Sequence, residues 1–466
     1  MTKASTTPRL PFLRRVTCRT ATSFLPPPGS AYFLAPIAAI FDARRGFQVA
    51  RVSMCVVGAV NVGLVGRIAL LQLGPAAGFA AALIYATYPE AVSSEHGVFL
   101  EPLLTLALLA AASFWFGLLR PRQRPTPWSA FAAGVLSGVA LGIKLWAGLA
   151  IAAFLLSLPR RVGIRLAPSY LGGVVLATVA LWGPMIALAG TDFARQILLF
   201  QVERPPDGVV SLRARVGQVF FHQHGAAQFF ASSHLAATAL ALLGVAAITS
   251  DRRSLTRFAA LWFLFTVAGF FVSVSYYPQY NAALAASSAL LGAVAVSWVS
   301  DAARARQGLI GKSLVAAAAV LLALPLLRLP WTAREAALQS GTVHAVGDII
   351  EERVRPSACI VSFEPAWLLA GGRLPEVGRR HRFGVDPYAA MLLEQMDRHP
   401  GDYVSAAEAF RDQPFDTEMT RGIASCEYVV LGGRGRRQLT AGQLRWFQQR
   451  YQRLFRSRSV DLWKHA

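Results

Sequence analysis

The run WSAFAAGVLSGVALGIKLWAGLAIAAFLLSL, residues 128–158, decides the fold. Apart from Lys144 it carries no charge, so it belongs in a bilayer. It is also too long for one crossing, because a hydrocarbon core takes about 20 residues of helix and this run has about 30. A break at Gly142-Ile143-Lys144 resolves the conflict. The run then predicts two spanning helices, 128–143 and 144–158, joined where the one charge sits.

Working outward, apolar runs of spanning type recur at 49–71, 75–91, 98–119, 166–190, 233–250, 257–275, 279–298 and 312–330. Together these predict about ten spanning helices. The apolar segment 31–41 is too short to cross and is expected to lie along the interface. Composition agrees. Of 466 residues 54% are hydrophobic and only 15% charged, and the mean hydropathy is +0.43. These values exclude a soluble enzyme with a large core.

The formal net charge is +21. Many of the arginines sit in short loops between apolar runs, where they act as topology signals and contacts to anionic lipid, so no nucleic-acid partner is expected. Arg120-Pro-Arg-Gln-Arg124, Arg160-Arg161, Asp251-Arg-Arg253 and the stretch 304–312 all fall on one side of the alternating helices. The positive-inside rule makes that side cytoplasmic. The loops 89–97 and 191–232, the Tyr276-Tyr277-Pro278 turn and everything after about Pro330 then face outward. Residues 1–30 are basic and Pro-rich and show no cleavable signal peptide.

After residue 330 charge rises and long apolar runs vanish. A helix is expected at 342–353, strands at 359–363 and 426–431, an amphipathic helix at 441–454 and a last strand at 459–463. This predicts a small extracytoplasmic α/β domain. Cys359 and Cys426 each start a strand-like run. Outside the cytosol they can pair; two unpaired buried thiols is the competing reading. The expected organisation is 1–48, a basic segment with an interfacial helix; 49–330, the membrane domain; and 331–466, the outer domain.

Two charges stand at bilayer depth. Glu101 opens the apolar run after it, and Lys144 interrupts its own. Such charges cost a few kcal/mol or more and usually face a cavity with a function. Snorkelling, or an ion pair that only fixes helix packing, is the alternative. Around Glu101 lie Tyr88-Pro-Glu90 and Ser94-Glu95-His96, so three carboxylates and an imidazole fall within a dozen residues. A carboxylate there can act as a general base or bind sugar hydroxyls. A solvated loop is the bland reading, strongest for Glu90 and Glu95. A second outer cluster ends in Glu203-Arg204-Pro205-Pro206, where Arg204 suits a phosphate. A third is Tyr276-Tyr277-Pro278-Gln279-Tyr280-Asn281, either an aromatic interface anchor or a platform for a sugar phosphate. The C-terminal domain shows no metal-spaced cluster or nucleophile triad, the chain shows no transporter-type repeat, the i, i+2 pair His222 and His224 has poor metal geometry, and no cofactor is expected.

Several of these stretches resemble motifs of GT-C membrane glycosyltransferases, the protein-mannosyltransferase and aminoarabinose-transferase-like families. Pro26-Pro27-Pro28-Gly29 to Pro36 resembles their HPP-type motif and juxtamembrane helix. Tyr88 through Pro102 resembles their acidic outer loop. Gly138-Val-Ala-Leu-Gly142-Ile-Lys144 resembles a stretch whose Lys lies near lipid phosphate. Phe200-Gln201 to Pro206 and Tyr277-Pro-Gln-Tyr280 resemble later outer-loop motifs. The resemblance implies transfer of a sugar from a polyprenyl-phosphate donor to an acceptor on the outer face of the cell membrane. It implies Glu101, with Glu95 and His96, as the catalytic group, and Lys144, Arg204, Tyr277, Tyr280 and Gln279 as substrate-binding residues. Membrane lipid and the lipid-linked sugar are the expected partners.

The chain departs from the family pattern in two places. The His of the HPP-type motif is replaced by Leu25 or Pro26, and the first spanning helix with its loop Asp has no counterpart. Helix parity also places the basic N-terminus on the outer side, so a longer native chain is one expectation. A transporter or flippase of lipid-linked sugar and an inactive scaffold subunit are the alternative functions.

Overall fold

The computed structural model describes residues 27–116, 126–157, 160–203, 211–220, 241, 254–273, 276–305, 308–374, 413–457 and 460–466. The chain opens with α1 (Gly29–Ile40), α2 (Ala43–Leu73), α3 (Pro75–Ala86), the short α4 (Pro89–Glu95) and α5 (Glu101–Trp115). Then come α6 (Pro127–Ile143), α7 (Ala147–Ser157) and α8 (Arg160–Ala189). A helical segment, α9, covers 191–203 with a π turn at Arg195–Leu199, and α10 is Leu212–Phe220. After these run α11 (Ser254–Val272), a 3-10 turn (Pro278–Asn281), α12 (Ala282–Ala305) and α13 (Leu309–Arg353). The expected span at 233–250 lies outside the described residues, Ala241 excepted.

Local chemistry sets these boundaries. Asp42 caps α2 by accepting from the Arg45 amide at 2.9 Å. Gly74, at φ 101°, ends it, and Pro75 starts α3. Pro89 starts α4 afresh, so the run expected as one span over 75–91 is two helices. Thr126 and Ser129 form a capping box on α6. The long apolar run breaks where expected: α6 ends at Ile143, and Lys144 takes an extended conformation at its C-terminus.

Among the described residues, four helical stretches are long and apolar enough to cross a membrane: Ala43–Leu73, Ile164–Ala189, Ser254–Val272 and Gln279–Ala305. Shorter apolar helices, among them α3, α5, α6 and α7, fill the bundle between them. The chain is a multi-pass membrane protein. In lipid, helices associate through close van der Waals packing rather than hydrophobic exclusion, so small residues mark the tightest contacts. A Cβ on Gly134 of α6 would meet the Tyr170 carbonyl oxygen of α8 at 2.0 Å, and one on Gly138 would meet that of Val174 at 2.5 Å. Around this contact Trp115, Phe154, Tyr170 and Phe258 form a buried aromatic core. Gly134→Val should therefore destabilise the bundle by about 2 kcal/mol or more, since backbone must move to admit it. Gly148→Val, with nothing within 4 Å, should be near neutral. Melting both variants in detergent checks the contrast.

The helix expected at 342–353 is the end of the unbroken 45-residue α13. Such a helix is about 67 Å long, twice a bilayer core, so its C-terminal part stands clear of the membrane. It leads into β1 (Ile360–Ser362), α14 (Pro365–Ala370), α15 (Gln413–Ala424), β2 (Tyr428–Gly432), α16 (Gly433–Gln438), α17 (Ala441–Arg450), β3 (Tyr451–Arg456) and β4 (Val460–His465). The sheet order is β1-β2-β4-β3, with β1 and β2 parallel and the other pairs antiparallel. Alternate residues face opposite layers. Val361, Val429, Leu431 and Trp463 pack with Phe447 of α17, while Ile360, Tyr428, Val430 and Leu462 pack with Val346 and Ile350 of α13. The helix expected over 441–454 stops at Arg450. Tyr451–Arg456 is a strand because it pairs with β4, a non-local partner that helical periodicity does not reveal. Cys359 and Cys426, at the entries to β1 and β2, are disulfide-bonded.

Candidate functional site

The break at Lys144 positions the site. Its backbone is extended at φ −156°, ψ 133°, and the side chain leaves α6 toward the start of α5. There the Lys144 ammonium ion-pairs with Glu101. Glu101 occupies the first turn of α5, ahead of Pro102, where the helix dipole favours an acid. Its side chain is 3% exposed and that of Lys144 13%. The ammonium also lies 4.0 Å from the centroid of the Tyr280 ring. Tyr280 packs edge-on against Tyr277, at 5.5 Å, and against Tyr276, at 6.2 Å. Two charges 43 residues apart, each singled out by its depth in an apolar run, are thus partners.

Glu95 faces a different environment. It ends α4 and accepts a hydrogen bond from the Tyr85 hydroxyl at 3.0 Å. Gly58 of α2 leaves the room, since a Cβ there would come within 2.3 Å of the carboxyl carbon. Burial pushes the Glu95 carboxyl up to about 7, against the opposing hydrogen bond from Tyr85. Deeper on the same side, Asn61 donates to the Pro102 carbonyl at 3.0 Å and so tethers the start of α5. His96 is exposed; its Nδ1 contacts the Val92 carbonyl at 2.7 Å. Its own carbonyl accepts from Arg51 Nε at 3.1 Å.

Among the expected residues, Glu101, Lys144 and Tyr280 form one cluster, with Tyr277 beside it. Glu95 stands apart from that ion pair, on the Tyr85 side. Gln279 is half-buried in the 3-10 turn. Arg204 lies outside the described residues. Phe200, four residues before it, is buried in the core of the C-terminal α/β domain. The 191–203 segment is therefore tied to that domain at Phe200. Arg44 at the start of α2 pairs with Asp348 and Glu351 of α13, and α4 also packs on α13. The acidic loop, the 191–203 segment and the C-terminal domain thus share one end of the bundle. The bland sequence reading made Glu90 a solvated loop acid, yet it is 4% exposed. A charge one residue after the Pro that starts a helix is an ordinary surface pattern, and its burial follows only from α4 packing against the 3-10 turn and α12.

Known proteins share this fold. A model of the dolichyl-phosphate-mannose-protein mannosyltransferase family matches residues 26–185. No curated protein matches the sequence. The structure of ArnT from Cupriavidus metallidurans in the apo state superposes with a TM-score of 0.58 at 14% identity, covering 97% of this chain and 91% of ArnT. The same protein bound to undecaprenyl phosphate gives 0.58 and 14%, covering 94% and 88%. At such identity the likeness speaks for the fold, and it extends over nearly the whole of both chains. The fold of this chain is that of the GT-C superfamily of membrane glycosyltransferases.

Proposed function

We propose that the chain transfers a sugar from a polyprenyl-phosphate carrier to an acceptor hydroxyl at the outer face of the membrane. The observation that carries this reading is the buried Glu101–Lys144–Tyr280 cluster, set at a helix break inside a GT-C bundle. Binding of undecaprenyl phosphate by ArnT, which has this fold, supports a lipid phosphate as the donor's carrier. In the reaction the bond from the anomeric carbon to the phosphate oxygen breaks, and one to the acceptor oxygen forms. The leaving phosphate gains negative charge, the acceptor loses a proton, and no nucleotide takes part. Lys144, and Arg204 on its loop, supply the positive charge that stabilises the leaving group. Tyr277, Tyr280 and Gln279 line the head-group side.

A base is needed for the acceptor proton. Glu101 already shares Oε1 with Lys144, which leaves it fewer lone pairs for an acceptor. Glu95, ionising near neutrality, suits that task better, with Glu101 orienting Lys144. An outward position of the α/β domain is supported by its disulfide, a bond of oxidising compartments. The test is turnover by the purified protein in detergent. Undecaprenyl-phosphate sugars are supplied with solubilised envelope as acceptor source, and released undecaprenyl phosphate is measured by mass spectrometry. Consumption is expected. A donor that binds and is never consumed would favour a scaffold. Movement between vesicle leaflets without turnover would favour a carrier.

A further inference from the structure

A second buried polar cluster lies one aromatic ring away from the Lys144 ammonium. It is built from three segments that meet at the same end of the bundle. Glu90 stands in the first turn of α4 and is buried. Arg215 of α10 is 8% exposed. Tyr276 precedes the 3-10 turn, and Asn281, which ends it, has no exposed surface.

The contacts around them are specific. The Arg215 guanidinium lies 5.4 Å from the centroid of the Tyr276 ring and donates to the Ser273 carbonyl at 3.1 Å. The Tyr276 hydroxyl donates to the Gln218 carbonyl at 3.1 Å. Asn281 Nδ2 donates to the Val219 carbonyl at 3.0 Å. These bonds clamp α10 onto the turn. They leave Asn281 Oδ1 and Gln218 Oε1 buried with no hydrogen-bond donor among the described residues. Burial raises the Tyr276 phenol; the Glu90 charge raises it further, and Arg215 and Asn281 oppose. Burial and the same carboxylate also raise Tyr88. A carboxylate, a guanidinium and an amide therefore surround one phenol.

Stability does not call for this arrangement. Buried charges cost several kcal/mol each to desolvate, and apolar side chains of equal volume usually do as well or better. Amide oxygens buried without donors add to that cost. A hydroxylated ring meets all of these groups at once. Its hydroxyls donate to a carboxylate and to amide oxygens, and accept from a guanidinium, between aromatic walls that exclude water.

We propose that Glu90, Arg215, Tyr276 and Asn281 form the pocket for the sugar ring whose phosphate lies at Lys144. The ring of Tyr276 lies 6.2 Å from that of Tyr280, and Tyr280 carries the Lys144 ammonium on its face. A sugar phosphate would thus straddle Tyr280 and reach both clusters. This assignment rests on the lipid-linked donor reading above.

The experiment measures binding of the full chain in nanodiscs to undecaprenyl phosphate and to undecaprenyl-phosphate mannose, glucose, galactose and arabinose. Wild type is expected to prefer at least one glycosylated lipid over the bare one by tenfold or more. Glu90→Gln should abolish that preference while binding the bare lipid phosphate as wild type does. Tyr276→Phe, which keeps the ring packing, should weaken the preference several-fold and serves if Glu90→Gln fails to fold. Equal loss for bare and glycosylated lipids, or no loss for either, would overturn the pocket and leave the donor reading standing. Wild type that binds none of these lipids would remove the donor reading itself, and the pocket's ligand with it.

Discussion

Lys144→Met should lower transfer by two to three orders of magnitude, the scale expected when a group facing developing oxyanion charge is removed. By itself that loss is ambiguous. Removing Lys144 leaves Glu101 charged and 2% exposed, and a buried charge stripped of its partner costs about 3–5 kcal/mol. The variant could fail through folding alone. The pair allows a cleaner comparison. Glu101→Gln combined with Lys144→Met removes both charges and leaves two neutral side chains of similar volume. If the pair only fixes α5 against the α6–α7 break, the double variant should regain both melting temperature and activity, because neutral replacement of buried pairs is often neutral or stabilising. If Lys144 meets the lipid phosphate, the double variant should melt like wild type and remain inactive. Full activity in the double variant would sink the assignment. Lys144→Arg is the companion test. It keeps the charge but exchanges a compact ammonium over Tyr280 for a wide planar fork, so partial activity is expected.

The bundle was legible because its signals are local. An apolar run longer than a bilayer must break, and one charge within it marks the place. Gly142-Ile143-Lys144 therefore located the turn between α6 and α7 from sequence alone. The two charges at depth were legible for the same reason, since a charge at an apolar run of spanning length is conspicuous. Their mutual pairing was not, because it joins residues 43 apart in sequence through helix packing. Short apolar helices such as α3, with 12 residues, escaped because hydropathy reads through the Thr87-Tyr88 break that Pro89 imposes. The strand at Tyr451–Arg456 was hidden by its non-local pairing with β4. Glu90 and Arg215 carry no local sequence signal of burial. Only the meeting of α4, α10 and the 3-10 turn buries them, and no single stretch of sequence records that meeting.

Glu95→Gln should separate catalysis from bracing through its pH dependence. The unfolded carboxyl loses its proton near 4.5 and the folded one near 7. Between those values the native state holds the extra proton, so the contribution of this group to stability is fully present below about 4.5. It is lost as pH climbs through 7, and levels off above. The difference amounts to up to about 3 kcal/mol. Glutamine mimics the protonated acid and can keep the contact with the Tyr85 hydroxyl. The variant should therefore melt higher than wild type at pH 8, match it near pH 5, and show a flatter profile between. That outcome tests the burial alone. Activity tests the role. If Glu95 takes the acceptor proton, wild-type turnover should fall as pH drops below about 7, and Glu95→Gln should lose a factor of about 10² to 10⁴ at pH 8 and lack that fall. If Glu95 only braces α4 against α2 and α3, the variant should stay active, with the wild-type pH profile unchanged. Retained activity with a flattened melting profile would remove Glu95 as the base. The search for the base would then pass to Glu101, whose Oε2 is not taken up by the Lys144 contact.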